Sequence, residues 1–421
     1  MPAFPGCGNN PLPLAFRLCS VAPHPARRNL VRVAHRAQYI RNSEFQVDFR
    51  RNSRFCPGEC SLISATLLEN GQIWRVSESS CGGYKVTSDA ASVNQSSLAS
   101  PVDSSENAVS SPRVPASWRC QSRRAVLLLL GIYLGCCVML GMIQRKLIYL
   151  PTREAPLLGS HWGLPDSRCR SVSLVSQDGL TLQGWHVLPP GSSALNEEER
   201  LWELRQGRPV ILYFSGNAGH RGDRAYDLNL LGSLNADVFL FDYRGYGDNP
   251  GVPSEAALVA DAQAIWRYLV ETEGVESGRI LLYGESLGGG VACALAAHLA
   301  EQGITPGGLF LKTTFSSLGD VAAFHYRWLP TGLLLRERYP SVQRISQIKC
   351  PIAILHGRQD EIVPFQLAEK LFEAAPDRSA SGIPKRFFEL PEAGHNDVLD
   401  KDPLTFRNAV GELLDHIRLR P

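Results

Sequence analysis

Residues 279–288 read Arg279-Ile280-Leu281-Leu282-Tyr283-Gly284-Glu285-Ser286-Leu287-Gly288, an apolar run of strand length closed by a serine between two glycines. A strand buried on both faces by helices shows such a continuous apolar run. The residues after it, 287–299, read as a helix that begins with Gly289, Gly290, Ala292 and Ala294, small enough to lie close to a sheet. A strand that turns sharply into a helix through Gly-x-Ser-x-Gly has the pattern of a nucleophile elbow. The five residues alone are a weak signal, so the strand before and the helix after carry the reading. The turn holds Ser286 in unfavourable backbone geometry, and glycine at 284 and 288 removes side chains that would collide across it. The hydroxyl is lifted clear of the sheet, at a helix N-terminus whose free N–H groups favour negative charge.

The same alternation extends outward. Segments 171–175 and 180–187 flank Gln177-Asp178-Gly179, a hairpin turn signal. Apolar runs follow at 209–214, 238–241, 308–311 and 352–355, with a last strand at 386–390. Helical spacing covers 254–271, 365–374 and 405–417. An opening hairpin followed by alternating strands and helices predicts an α/β fold, a mostly parallel sheet covered on both faces. Ligand sites in such sheets lie beyond the carboxyl ends of the strands.

A serine hydroxyl is a poor nucleophile at neutral pH and needs a base. His395, in the loop 392–397 after the last strand, stands at the right end of the sheet. Among the other histidines, His356 is close enough to Asp360 to buttress its turn. His298 sits within the elbow helix, His325 in a segment able to line a pocket, and His220 where it can cap a helix. The base needs a carboxylate to fix its tautomer. Asp360, in His356-Gly357-Arg358-Gln359-Asp360-Glu361-Ile362-Val363-Pro364, follows the strand 352–355 and fills that role. Glu361 is the rival acid but reads as a solvated loop charge, and Asp397, two residues past His395, reads as structural. The chain order Ser286, Asp360, His395 is the one this architecture uses. Two N–H donors for an oxyanion come from Leu287 and from Asn217, in Ser215-Gly216-Asn217-Ala218-Gly219 after the strand 209–214, with Ala218 as a helper. Residues 242–247 read as a structural turn near the pocket. The apolar, aromatic insert 315–348 reads as a short helical lid that contacts an acyl or other apolar group.

Outside residues 147–421 the chain differs. A net charge of +2 and the absence of a basic stripe exclude nucleic acid as a partner. The eleven cysteines form no framework, and Cys56–Cys60 has no second pair at zinc spacing. No metal or organic cofactor is called for. Residues 1–122, rich in Ser, Asn, Pro and Arg, show no sustained helix or strand pattern and read as disordered, or as upstream sequence from a mis-set start. Arg27, Arg28, Arg32 and Arg36, all before the first acidic residue Glu44, give an organelle transit peptide as the functional alternative. Residues 125–143 carry no charge and no polar face, and predict one membrane-spanning helix. Arg113, Arg119, Arg123 and Arg124 tip the N-terminus inside, leaving the enzyme domain extracytoplasmic or lumenal.

Taken in order, 213–219, 242–247, 284–289, 356–364 and 394–397 resemble the α/β-hydrolase-domain-containing proteins of the bud-emergence (Bem) type. The resemblance spans roughly residues 147–419. It implies an α/β-hydrolase fold, often anchored by one N-terminal membrane helix, with esterase, lipase or thioesterase activity. The family's catalytic Ser, Asp and His map onto Ser286, Asp360 and His395. Ser215 departs from the pattern, since relatives usually carry His there, which puts the rigidity of the oxyanion loop in question. The expectation is a serine hydrolase that cleaves esters or thioesters of a lipid-like acyl substrate through an acyl-enzyme. Alternatives are a peptidase or amidase on the same residues, or a catalytically idle membrane scaffold.

Overall fold

The computed structural model describes residues 64–69, 72–78, 84–88 and 116–419. The chain forms two units, residues 1–111 and 112–421. In the first, strands Ser64–Glu69, Gln72–Glu78 and Tyr84–Ser88 pair antiparallel in chain order. The sequence shows no sustained strand pattern there, yet these three short strands form; the rest of residues 1–122 up to Pro115 lies outside the described residues. The missed signal is local. Asn70-Gly71 is a two-residue hairpin sequence between stretches rich in Thr, Leu, Ile, Trp and Val.

The second unit is built on an eight-stranded sheet. Its strands are β1 (Cys169–Val175), β2 (Thr181–Val187), β3 (Val210–Phe214), β4 (Asp237–Phe241), β5 (Ile280–Glu285), β6 (Gly308–Lys312), β7 (Ile352–Gly357) and β8 (Arg386–Leu390). Across the sheet they run β8-β7-β6-β5-β3-β4-β2-β1. Only β2 is antiparallel to its neighbours, β1 and β4; the other pairs are parallel. Every residue of β3, β4, β6 and β7 is buried, as their unbroken apolar runs require. The edge strand β1 instead alternates buried and exposed positions toward its end. On one face Leu258, Ile265, Val291 and Leu371 of three helices pack the core. On the other, Leu228 and Leu231 join Phe406, Val410 and Leu413. Central β5 lies between β6 and β3, so the elbow after β5 sits beside the loop after β3.

Helices Glu197–Leu204 and Ala225–Gly232 were not expected from the sequence. Each has eight residues, shorter than the window of about 11–18 residues over which helical periodicity is counted. The insert after β6 folds as Leu318–His325, Thr331–Leu334 and Ser341–Ile345. Within the insert Phe315, Ser341, Ile345 and Ile348 are buried.

Among the described residues a long helix, Ala116–Ile148, precedes the sheet. Its segment Arg124–Ile148 is long and apolar enough to cross a membrane, and side chains such as Leu127, Leu128 and Met142 are exposed. It outlasts the apolar run 125–143 because its last turn docks on the sheet domain. Gln144 Oε1 accepts from Arg336 N at 2.7 Å, Arg145 Nε donates to Glu337 Oε1 at 2.7 Å, and the Tyr149 hydroxyl just beyond donates to Glu337 Oε2 at 2.8 Å.

Candidate active site

The turn after β5 gives Ser286 φ 51° and ψ −117°, in the left-handed half of backbone space that costs a side-chain-bearing residue about 1–3 kcal/mol. Close packing over-determines it. A Cβ on Gly284 would lie 2.6 Å from Gly289 Cα, and one on Gly288 would lie 2.1 Å from Phe214 O. No L side chain fits either place. The Ser286 N–H donates to Lys312 O at 2.9 Å, and Thr314 Oγ1 donates to Ser286 O at 2.8 Å. Both main-chain groups of the strained residue are therefore tied to the end of β6.

Three loops then converge. Ser286 Oγ lies 3.0 Å from His395 Nε2, and His395 Nδ1 lies 2.7 Å from Asp360 Oδ2. The second carboxylate oxygen, Asp360 Oδ1, accepts from Ile362 N at 2.9 Å and Val363 N at 2.7 Å. His356, fully buried, places Nε2 3.2 Å from Asp360 Oδ2 and 2.9 Å from Val363 O, the buttress its position suggested. Burial acts to raise the Asp360 carboxyl, but hydrogen bonds from His356 and His395 outweigh it and hold the group at about 2. Asp397 Oδ1 accepts from Gly394 N at 2.6 Å and so fixes the loop that carries His395.

The loop after β3 passes beside the serine: a Cβ on Gly216 would stand 3.7 Å from Ser286 Cβ. Asn217, Ser286 and Leu287 line one cavity. The carbonyls of this loop are pinned. Tyr243 Oη donates to Ser215 O and Tyr246 Oη to Asn217 O, each at 2.8 Å. Leu150 N also donates to Asn217 O at 2.9 Å, and Asn217 Nδ2 donates to Ile148 O at 2.8 Å. These four bonds tie the loop to two tyrosines and to the end of the long helix, none of them through the Ser215 side chain. With its carbonyls turned to those donors, the loop leaves the Asn217 N–H as a candidate oxyanion donor beside that of Leu287.

The cavity holds about 610 Å³, within the usual range for a small-molecule site. Phe315, Val321, Tyr326, Leu329 and Leu335 line it from the insert, and Leu140, Leu147 and Ile148 from the long helix. Its wall is mostly apolar. His325 also lines it and holds Ile362 O at 3.0 Å. His220 caps a short helical turn by accepting from Gly222 N at 3.1 Å, and His298 lies away from the site, beside Gln302.

Sequence reasoning missed the charges behind the serine. Glu285 accepts from Tyr213 Oη at 2.6 Å and Arg224 Nε at 2.9 Å, and Lys312 Nζ stands 3.0 Å from Glu285 Oε1 and 3.3 Å from Asp227 Oδ1. Burial acts to raise the Glu285 carboxyl, but Lys312 and Arg224 override it and hold it well below the usual carboxylate range. Thr314 was missed as well, and the turn 242–247 was read as structural without its two tyrosine hydrogen bonds to the oxyanion loop. For Thr314 the available signal was its place just past the end of β6.

Comparison with known proteins places this geometry in context. The family model described as serine aminopeptidase, S33, matches residues 205–318. An uncharacterised protein of Mycobacterium tuberculosis is 38% identical over 279 residues, covering 66% of this chain and 90% of that one. The lysophosphatidylserine lipase ABHD12 of Danio rerio is 32% identical over 296 residues, covering 64% of this chain and 76% of that protein. Among solved structures, the Pyrococcus furiosus esterase Pf2001 matches with TM-score 0.47 and 17% identity, over 64% of this chain and 97% of that chain.

Proposed function

Because the chain belongs to the α/β-hydrolase superfamily, whose lipase and esterase members cleave esters, we propose that it is a serine hydrolase acting on carboxylic esters or thioesters of lipid-like substrates. Ser286 Oγ attacks the acyl carbon while His395 Nε2 takes its proton. Asp360 holds the imidazole in the required tautomer and stabilises its protonated form. The N–H groups of Leu287 and Asn217 receive the oxyanion. His395 then returns the proton to the leaving oxygen or sulfur, and the acyl group stays on Ser286. Water, activated by the same imidazole, releases the acid and restores the serine. No step calls for a metal or organic cofactor.

The single observation behind this reading is the hydrogen-bonded row Ser286–His395–Asp360, at 3.0 and 2.7 Å, opening into a mostly apolar cavity. The five ordered motifs support kinship with bud-emergence-type proteins within the superfamily. The name of the Danio rerio relative makes a single-chain lysophospholipid the first natural substrate to try. The excess of arginine before residue 125 favours an extracytoplasmic or lumenal active site, which protease protection of sealed microsomes tests. The description of the matching family model favours a second reading, amide cleavage from peptide N-termini. Rapid-mixing kinetics separate the two. An aryl ester is expected to give a burst of phenol equal to the enzyme concentration, with thioesters following and amino-acid anilides far slower. Faster turnover of the anilide would reverse the order of the two readings.

A further inference from the structure

The insert after β6 does not cover the cavity from above the sheet alone; it climbs the long helix. Glu337 meets Arg145 at 2.7 Å. Leu334 O accepts from Gln144 Nε2 at 3.1 Å. Trp328 O accepts from the Tyr133 hydroxyl at 2.8 Å. Tyr133 stands at the middle of the apolar run 125–143. Helix rise puts it about 16 Å from Gln144 along the axis, roughly half of a hydrocarbon core ~30 Å thick. Whatever surrounds the helix at that level must also surround this part of the insert.

The side chains there suit such surroundings. Leu333 is 88% exposed, Trp328 62%, Tyr326 52% and Phe324 46%. They continue the exposed apolar surface of the helix, which includes Leu134, Val138 and Met142. Exposed apolar patches of this kind mark an interaction surface. Arg327 is the charge this stretch carries; its guanidinium lies over the Phe324 ring, 5.7 Å from the centroid, and its stem is long enough to draw the head toward the interface. The cavity runs between the two elements, with Leu140, Gly141 and Gln144 on the helix side and Tyr326, Trp328 and Leu335 on the insert side.

We propose that residues 324–335 are embedded with the helix in one leaflet of a bilayer, so that an acyl chain enters the cavity sideways from the leaflet. The lipid surface is the partner; hydrolysis of what enters rests on the serine-hydrolase reading above. Neither Phe324 nor Leu333 lines the cavity, so they report on the membrane and not on the chemistry.

The test uses the full chain in phosphatidylcholine vesicles. A benzophenone amino acid at position 333 is expected to form a phospholipid adduct on irradiation, and the same probe at exposed Trp202 is expected to form none. A Phe324→Glu, Leu333→Glu double variant is expected to keep wild-type turnover of water-soluble p-nitrophenyl acetate and wild-type fluorophosphonate labelling. It should lose at least tenfold in hydrolysis of a vesicle-borne lysophospholipid. Adducts at 333 with a second copy of the chain, or none in protein that still labels, would overturn the proposal. So would undiminished turnover of the vesicle substrate. Lipid adducts from the probe at position 333, together with a wild-type chain that neither labels nor hydrolyses any ester, would leave the embedding intact and remove only the serine-hydrolase reading.

Discussion

The Thr314 hydroxyl donates to the main-chain carbonyl of Ser286 at 2.8 Å, across a turn in which Ser286 itself holds φ 51°. The bond ties the strained residue to the end of β6 and fixes the direction of its hydroxyl. Thr314→Val keeps the shape and removes the donor. A neutral hydrogen bond contributes about 0.5–1.5 kcal/mol net, so kcat is expected to fall roughly 3- to 10-fold with KM nearly unchanged. Steady-state kinetics on a soluble aryl ester checks this; an unchanged kcat would mean that packing alone holds the turn.

His356 and His395 both approach the same oxygen of Asp360, at 3.2 and 2.7 Å. Their combined pull holds the Asp360 carboxyl at about 2, below its ordinary 3.8. A depressed carboxylate stabilises the fold above its unfolded value, and that contribution is lost as pH falls from near 3.8 through about 2. Asp360 thus stays ionised across the working range. Asp360 is expected to add no step to the kcat/KM profile above pH 4. Asp360→Asn is expected to lower kcat on the order of 10⁴-fold while the protein stays folded by circular dichroism. A profile with a second acidic step above pH 4 would contradict this assignment.

Lys312 and Glu285 form a buried pair at 3.0 Å behind the elbow. Removing one member of such a pair leaves an uncompensated charge, at a cost of about 3–5 kcal/mol. Lys312→Met is expected to lower the denaturant midpoint markedly, and the double variant with Glu285→Gln to recover part of the loss. Equal midpoints for wild type and Lys312→Met would show that the remaining Arg224 contact suffices.

The loop that carries Asn217 is held by Tyr246 at 2.8 Å. Tyr246→Phe removes that bond without emptying the space. If Asn217 N–H receives the oxyanion, kcat should fall several-fold and affinity for a phosphonate transition-state mimic should fall in parallel. A loss in KM alone would place the effect in substrate binding.

Much of this molecule was legible in its sequence because its chemistry is tied to strand ends. Each of Asn217, Ser286, Asp360 and His395 follows a strand; those before Asn217, Ser286 and Asp360 are buried and announce themselves as apolar runs, while β8 before His395 is half-exposed and was read from its aromatic pair. The glycines at 284 and 288 were legible for the same reason, since backbone approach at 2.6 and 2.1 Å admits nothing larger. What stayed hidden depends on contacts between distant segments. Thr314 beside Ser286, Lys312 beside Glu285, and Tyr133 beside Trp328 are pairs whose members carry no pattern of their own. The strands before residue 89 went unread for a different reason. Their hairpin sequence, Asn70-Gly71, lies in a stretch whose composition suggested no structure.

The account stands on Ser286 as the atom that takes up the acyl group. Fluorophosphonate treatment of the folded full-length chain, followed by peptide mapping, tests it most directly. One phosphonyl group per chain is expected, on Ser286, with labelling and ester hydrolysis both abolished in Ser286→Ala. Hydrolysis surviving in that variant, or a label on another residue, would contradict it.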